Sequence, residues 1–193
     1  MYTREAKNRD ELWLLDQIES LSIDDVAFRS RDYVIISDEK NHSKLGFGRK
    51  RIHKEHDELI FCEITSIGIL DLSQTETILV YLFDSLIKSA KKDGFNSSYF
   101  FAESSDYLSI LGFNLIPESE LPSSVKTRFN EKQKTVSKKA VPLSLEFDSF
   151  KIPSYMQSIF NSKKSDPKPV PKITPEDFGI NPKKVTSKYK IDN

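Results

Sequence analysis

Residues 64–79 read "ITSIGILDLSQTETIL", and this stretch decides the fold. Its first part ends the strand candidate Leu59–Leu70, and its last part begins a helix candidate over residues 74–93. A strand that runs into a helix places unpaired backbone N–H groups at the junction, where phosphate groups dock in many proteins. The junction at residues 70–79 contains no glycine, so every residue there carries a Cβ that holds a phosphate away from the backbone.

The helix candidate 74–93 is the clearest helical signal in the chain. Its apolar residues recur at helical spacing and form one stripe, which comprises Ile78, Leu79, Leu82, Phe83, Leu86, Ile87 and Ala90. Lys91 and Lys92 suit the negative C-terminal end of a helix, and Gly94 stands where a left-handed residue is wanted. These signals predict one long amphipathic helix.

The segments before the junction predict an antiparallel meander. Tyr33–Ser37, Lys44–Ile52 and Leu59–Leu70 are β-rich, and polar turns separate them. A short strand candidate near the N-terminus and a helix capped by Asn8 or Asp10 come first.

The segments after the helix continue the mixture of α and β. "SSYFFAES" (97–104) predicts a strand, and "SDYLSILGF" (105–113) predicts a short helix that closes on Gly-Phe. "SSVKTRFNEKQK" (123–134) is helical in pattern, and "AVPLSLEF" (140–147) predicts a last strand.

Composition and charge limit the classes of function. Lys+Arg and Asp+Glu are equal at 29 each, which disfavours a dedicated nucleic-acid binder. Residues 161–193 hold eight lysines against four acids, and they are rich in proline. We therefore predict a domain over residues 1–160 and a flexible Lys/Pro-rich tail over residues 161–193, which is open to contact with a protein partner.

Cys62 is the only cysteine, which excludes an intramolecular disulfide and favours a reducing compartment. The first residues are charged, and no apolar run reaches the ~18 residues that a membrane span needs. The sequence thus predicts a cytoplasmic protein without membrane contact. It leaves a homodimer open.

The order of elements and two motifs resemble the GCN5-related N-acetyltransferase superfamily over roughly residues 2–148. The motifs are "ITSIGILDLSQTETIL" and "DYLSILGF", the second ending in Leu111, Gly112 and Phe113. The resemblance implies an α+β fold with a mixed, mostly antiparallel sheet of about six to seven strands flanked by helices. That sheet is splayed between its fourth and fifth strands. The stretch "IPESELPSSVKTRF" (116–129) is similar to amino-acid acetyltransferases of the N-acetylglutamate synthase type.

The resemblance implies acetyl-CoA as co-substrate, an amine as acceptor and no metal. The family's loop reads Gln/Arg-x-x-Gly-x-Gly/Ala, and here Gln74 keeps the first position while Thr77 and Leu79 replace the small residues. The implied cofactor-binding residues are Ile67, Gly68, Ile69, Gln74, Thr75, Glu76, Thr77, Ile78 and Leu79.

Four further residues are candidates for the reaction. Glu63 lies on the strand before the loop, on the face predicted to hold Thr65 and Ile67, and is the candidate base; the alternative is an ion-pair partner. Tyr107 is the candidate acid, although the family position falls on Leu108. Arg49 and Arg51 are candidates for binding an anionic group of the substrate, or form a polar strand face.

Ser73 and Glu76 have the spacing of a capping box, which would occupy the N–H groups that a diphosphate needs. Two functions therefore stay open: an acyl-CoA-dependent N-acyltransferase, with Glu76 turned outward, and a non-catalytic regulatory or partner-binding relative with a degenerate loop. An adaptor acting through the basic tail is a third, weaker hypothesis. His53 and His56 have a spacing that zinc tolerates, but a solvated turn explains "HKEH" more simply.

Overall fold

The computed structural model describes residues 1–23, 25–55, 58–135 and 139–161. Two units are distinguished along the chain, Met1–Met156 and Gln157–Asn193. The first unit contains the sheet. The predicted tail lies outside the described residues after Asn161, and the domain boundary after residue 160 stays a prediction.

The predicted strands and helices occur in the predicted order, and the structure adds a strand at Asn114–Leu115 and a helix at Ser154–Asn161 that were not predicted. The strands are β1 (Tyr2–Glu5), β2 (Tyr33–Ser37), β3 (Lys44–Glu55), β4 (Glu58–Ile69), β5 (Ser97–Ala102), β6 (Asn114–Leu115) and β7 (Val141–Glu146). The helices are α1 (Glu11–Ser20), α2 (Thr75–Lys92), α3 (Asp106–Ile110), α4 (Ser123–Thr135) and α5 (Ser154–Asn161). The strand and the helix predicted on either side of the junction are β4 and α2.

The strands form one seven-stranded sheet in the order β1-β2-β3-β4-β5-β7-β6. Every neighbouring pair is antiparallel except β4 and β5, which are parallel. The register between β4 and β5 contains a single pair, Glu63 with Tyr99, whereas β5 and β7 pair over the whole of β5. The predicted mixed sheet, open between its fourth and fifth strands, is confirmed.

A bulge in β4 changes which side chains share a face. Phe47 pairs with Gly68 but Arg49 pairs with Thr65, so β4 holds one extra residue there, and Ser66 adopts a left-handed φ of 49°. An extra residue moves every later side chain to the opposite face. The predicted common face of Glu63 and Ile67 is therefore wrong.

Helix α2 covers one face of the sheet. The buried side chains of Ile78, Leu82 and Leu86 lie in its apolar stripe. Close approach to β3 requires a strand residue without a side chain, because a Cβ on Gly48 would lie 2.6 Å from Ile67 and 3.0 Å from Leu86. Ile67 therefore faces α2, on the side of the sheet away from Glu63.

Two apolar clusters cover the other face. The first joins α1 to β2 and β3 through Leu14, Ile18, Tyr33, Ile35 and Phe47. The second joins α4 to β4 and β5 through Phe61, Phe101, Leu121, Val125 and Phe129. Burial of each such side chain stabilises the fold by about 1.5–3 kcal/mol, so both faces of the central strands are fixed around the opening.

The helices α2 and α3 each end at a glycine with positive φ. Gly94 follows α2 with φ of 89°, as its position predicts, and Gly112 follows α3 with φ of 97°. Phe95 and Phe113 then donate backbone hydrogen bonds back to the carbonyls of Ala90 and Leu108. These ends set the chain direction into β5 and β6. Among the described residues, none of the helices combines the length and the apolar character needed to cross a bilayer.

Candidate functional site

The junction between β4 and α2 is capped differently from the sequence prediction. Gln74, the N-cap residue of α2, makes no side-chain hydrogen bond to the helix. The predicted capping box is wrong, because the Ser73 hydroxyl donates to Asp71 Oδ1 at 2.6 Å instead of accepting from the helix. Asp71 also accepts from the Ser73 backbone N–H at 3.0 Å and from Gln74 Nε2 at 2.9 Å. These bonds order the turn before the helix and leave its first N–H groups uncapped by those side chains.

Glu76 points to a different partner. Its Oε2 accepts a hydrogen bond of 2.6 Å from the hydroxyl of Tyr155. The hydroxyl of Tyr107 lies beside Tyr155, and desolvation raises the pKa of Tyr107, with further contributions from Tyr155 and Glu76. The candidate acid and the candidate phosphate-binding turn are thus brought together, while Leu108 is buried in the core.

The charges at the junction are unfavourable for an anion. Hydrogen bonds from the side chains of Ser73 and Gln74 lower the pKa of Asp71, so this carboxylate is ionised at neutral pH beside that of Glu76. Residues 64–84 contain no lysine or arginine. A diphosphate at this turn would be held by backbone N–H groups and the helix dipole against two carboxylates.

The side chains of this turn fit a diphosphate only in part. Thr77 and Leu79 are half-buried and stand where the resembling family has small residues. The Thr75 hydroxyl donates to the Leu72 carbonyl at 2.9 Å, so its proton is already engaged. Uncapped backbone donors are present, which is the minimum that a diphosphate requires.

The end of β4 presents an open edge toward β5. Beyond the pair Glu63–Tyr99, residues 64–69 have no register partner on β5 in the described chain. Their backbone groups on that side can pair with an extended ligand. Packing also explains why position 68 is a glycine, because a Cβ there would lie 2.3 Å from the ring of Phe47.

Glu63 lies at the opening of the sheet and is fully buried. His53 Nε2 donates to its Oε2 at 2.8 Å, Arg128 Nε donates to the same oxygen at 3.1 Å, and Lys132 Nζ lies 3.9 Å from Oε1. Burial raises the pKa of Glu63, but the bond from His53 and the charges of Arg128 and Lys132 outweigh it and hold the pKa well below its usual range. This environment is that of an ion-pair partner, and the role of Glu63 as a base stays a prediction.

Sequence analysis did not find the residues around Glu63, which are His53, Arg128 and Lys132. The solvated turn predicted for "HKEH" is wrong for His53, which lies in β3 and is hydrogen-bonded to Glu63. The ring of His53 stacks on Phe61 with 4.0 Å between centroids, and it remains partly exposed. The register of β3 with β4 places His53 opposite Phe61, two residues from Glu63, and this register is not marked in the sequence. Arg128 and Lys132 are four residues apart and therefore share one face of α4.

Arg49 and Arg51 have different surroundings although both were predicted to bind substrate. Arg49 is buried and donates to Val26 O at 2.9 Å, to Ala27 O at 2.7 Å and to the carboxylates of Asp25 and Asp32. Its donors hold the segment before β2. Arg51 keeps a buried Nη1 without a partner, and burial lowers its pKa.

The described residues contain no group of three or more His, Cys, Asp or Glu side chains that could hold a metal ion. His56 lies outside the described residues. Cys62 is buried, which raises the pKa of its thiol to about 12 and makes it unreactive.

Comparisons by sequence find no relatives: no protein-family model and no curated protein matches this chain. Solved structures do match. N-acetylglutamate synthase from Neisseria gonorrhoeae, complexed with coenzyme A and L-arginine, aligns with a TM-score of 0.57 at 16% identity over 75% of this chain. This chain spans about a third (32%) of that synthase.

Two shorter proteins match over almost their whole length. A Mycobacterium tuberculosis protein in complex with CoA aligns with a TM-score of 0.60 at 10% identity, over 76% of this chain and 99% of its own. An acetyltransferase of the GNAT family from Staphylococcus aureus Mu50 aligns with a TM-score of 0.52 at 14% identity, over 75% of this chain and 98% of its own. The chain therefore has the fold of the GCN5-related N-acetyltransferases, and the resemblance read from its motifs is confirmed as a divergent example of that fold.

Proposed function

We propose that this protein is an acyl-CoA-dependent N-acyltransferase that transfers an acetyl group to an amine of a small molecule or peptide. One observation carries the proposal: the free edge of β4 is followed, after the short turn of residues 70–74, by the first turn of α2, which has no side-chain cap at Gln74. An extended chain that ends in a diphosphate needs these two features in this order, namely backbone groups along its length and helix N–H groups at its end.

The binding residues follow from that geometry. The backbone of Ile67, Gly68 and Ile69 would pair with the pantetheine arm. The N–H groups at the start of α2 would hold the diphosphate, with Gln74, Thr75, Glu76, Thr77, Ile78 and Leu79 around it. Acetyl-CoA, when bound, supplies an activated thioester. The protein has to place an amine against it and manage two protons.

Glu63 is the proposed base and would act through water, because its carboxylate is buried and ionised. Its low pKa makes it a weak base, so positioning has to contribute most of the rate. Tyr107 is the proposed acid for the leaving thiolate, since its raised pKa keeps the hydroxyl protonated at neutral pH. Arg51 is the proposed contact for an anionic group of the acceptor. Arg49 would support the same site indirectly, because it fixes the segment before β2 through the carbonyls of Val26 and Ala27.

Binding of acetyl-CoA tests the proposal first. The full chain at an acetyl-CoA concentration of ~100 times the dissociation constant should gain ~2.7 kcal/mol in unfolding free energy. Glutathione serves as a thiol control, and ATP as a phosphate control. A melting temperature unchanged at millimolar acetyl-CoA would remove the transferase proposal.

A non-catalytic CoA-binding or partner-binding module is the second candidate. The observation that favours it is the engagement of Glu63 by His53, Arg128 and Lys132, which is costly to undo for proton transfer. CoA binding without acetyl transfer to any amine in a broad panel would select this candidate over the enzyme.

A further inference from the structure

The outer edge of β3 has no neighbouring strand beyond Arg49 among the described residues. β2 pairs with β3 only from Lys44 to Arg49, whereas β3 continues to Glu55 with β4 on its other side. In an antiparallel pair, every second residue directs its N–H and C=O away from its partner strand. The stretch 50–54 therefore offers unpaired backbone donors and acceptors along one edge.

A groove of about 540 Å³ runs along this edge. β3 lines one side of it, and the segment 27–32 lines the other. Residues from both faces of β3 contribute, for example Arg51 and Ile52, which places the groove at the edge of the strand and not on a face of the sheet.

The lining of the groove is cationic. The basic residues are Arg29, Arg31, Lys50, Arg51 and Lys54, in addition to the paired Arg49. The acidic lining residues are already neutralised, since Asp32 lies 3.1 Å from Arg49 and Asp93 pairs with Lys50. No described carboxylate lies within ion-pair distance of the four remaining basic side chains, which are Arg29, Arg31, Arg51 and Lys54.

Arg51 has a donor that an anion could use. Its Nη1 is buried and has no hydrogen-bond acceptor among the described residues. The side chain as a whole is only half-buried, and a carboxylate from outside the chain would give its Nη1 an acceptor.

The wall opposite β3 is held in place before any ligand arrives. Arg49 donates to the carbonyls of Val26 and Ala27, and Ala27 adopts a left-handed φ of 55° that only a well-supported segment maintains. The backbone that carries Arg29 and Arg31 is therefore supported in advance, which lowers the entropy cost of binding. An alternative explanation of the basic residues is that they protect the exposed strand edge from aggregation, but that role does not require a supported segment facing the edge.

We propose that this groove binds an extended acidic peptide segment of another protein, which adds to β3 as an outer strand. A peptide satisfies both features at once, because its backbone pairs with the β3 edge while its carboxylates meet the arginines. The chain's own residues 161–193 are disfavoured as occupant, since they hold eight lysines against four acids. The groove shares Arg51 with the proposed acceptor contact, but the peptide proposal goes beyond the acyltransferase function and does not depend on CoA binding.

Fluorescence anisotropy of the full chain with a short labelled peptide of alternating Glu and Thr tests the proposal without CoA. We expect saturable binding that weakens with salt, and about tenfold or more loss of affinity in the double variant Arg31→Glu/Lys54→Glu. The matched control Lys40→Glu/Lys134→Glu reverses two exposed charges elsewhere and should stay within about twofold of the wild type.

A second arm tests strand addition itself. Two versions of the same peptide carry backbone N-methyl groups, one at the odd and one at the even positions; both keep the charge but lose alternate N–H donors. Because only every second N–H of an added strand faces β3, binding should fall by about tenfold in one of these two methylation frames. Equal affinity in both frames, or equal competition by a single-stranded oligonucleotide, would show a general polyanion site and overturn the proposal. Absence of binding to the unmodified peptide would overturn it too.

Discussion

The hydroxyl of Tyr155 donates a 2.6 Å hydrogen bond to Glu76 Oε2 at the first turn of α2. This contact decides where the Glu76 carboxylate lies. It takes no part in a capping box, and the carboxylate stays beside the N–H groups on which the proposed diphosphate site depends. Glu76 therefore opposes anion binding through its charge and not by occupying the helix N–H groups.

Glu76→Gln should tighten CoA binding. The amide oxygen still accepts from Tyr155, whereas the charge next to the diphosphate is removed. A charge near a helix terminus is worth about 0.3–1 kcal/mol, which corresponds to about two- to fivefold in affinity. Isothermal titration calorimetry measures the change, with the exposed Glu118→Gln as control. Weaker binding of CoA by Glu76→Gln would refute the electrostatic account.

Glu63→Gln should destabilise the protein by about 3 kcal/mol at neutral pH, because it leaves Arg128 and Lys132 near a neutral group in a buried place. Because the folded pKa of Glu63 is lowered, its contribution to stability is present above the unfolded value of about 4.3 and is lost as the pH falls through the folded pKa.

Urea denaturation from pH 7 to pH 3 measures this effect. The difference in unfolding free energy between the wild type and Glu63→Gln should shrink as the solution becomes acidic. The exposed Glu120→Gln is the control and should change little at any pH. A difference that is constant with pH would mean that Glu63 is not ionised in the folded protein.

Arg49→Gln and Arg51→Gln should have different effects on the unfolding free energy, although the two arginines lie on the same strand. Arg49→Gln leaves the Asp25 carboxylate buried without its ion-pair partner and should cost about 3 kcal/mol or more in unfolding free energy. Arg51→Gln removes a cation with an unpartnered buried nitrogen and should change stability by less than about 0.5 kcal/mol. Comparable destabilisation by both variants, measured by urea denaturation, would contradict the separation.

Gly112→Ala should be far more damaging than Gly94→Ala. Both glycines have positive φ, so each substitution costs about 1 kcal/mol from backbone strain. A Cβ on Gly112 would also lie 2.2 Å from the Ser149 carbonyl oxygen, whereas a Cβ on Gly94 meets nothing within 4 Å. Thermal unfolding compares the two variants directly, and equal losses would exclude the close approach at Ser149.

The α2 helix and the succession of strands along the chain were predictable because their signals are local. The apolar stripe from Ile78 to Ala90 and the terminal Gly94 each act within a few residues of sequence. The bulge at Ser66 was not predictable, because a serine with φ of 49° leaves no mark in the alternation of apolar residues. That extra residue is why Ile67 faces α2 and Glu63 faces α4.

The candidate site was predictable only where its residues lie near one another in sequence. Arg49 and Arg51 look equivalent on one strand, and Asp25 and Asp32, brought from another segment, make Arg49 structural. The capping box failed for a similar reason, since the competing acceptor Asp71 and the distant donor Tyr155 both act on the same turn.

Amide hydrogen exchange of the full chain with and without saturating acetyl-CoA tests the central claim most directly. We expect slower exchange at residues 67–69 of β4 and in the first turn of α2, with little change at the opposite end of that helix. Unchanged exchange at both places, in the presence of millimolar acetyl-CoA, would contradict the claim that the edge of β4 and the N-terminus of α2 together hold the coenzyme.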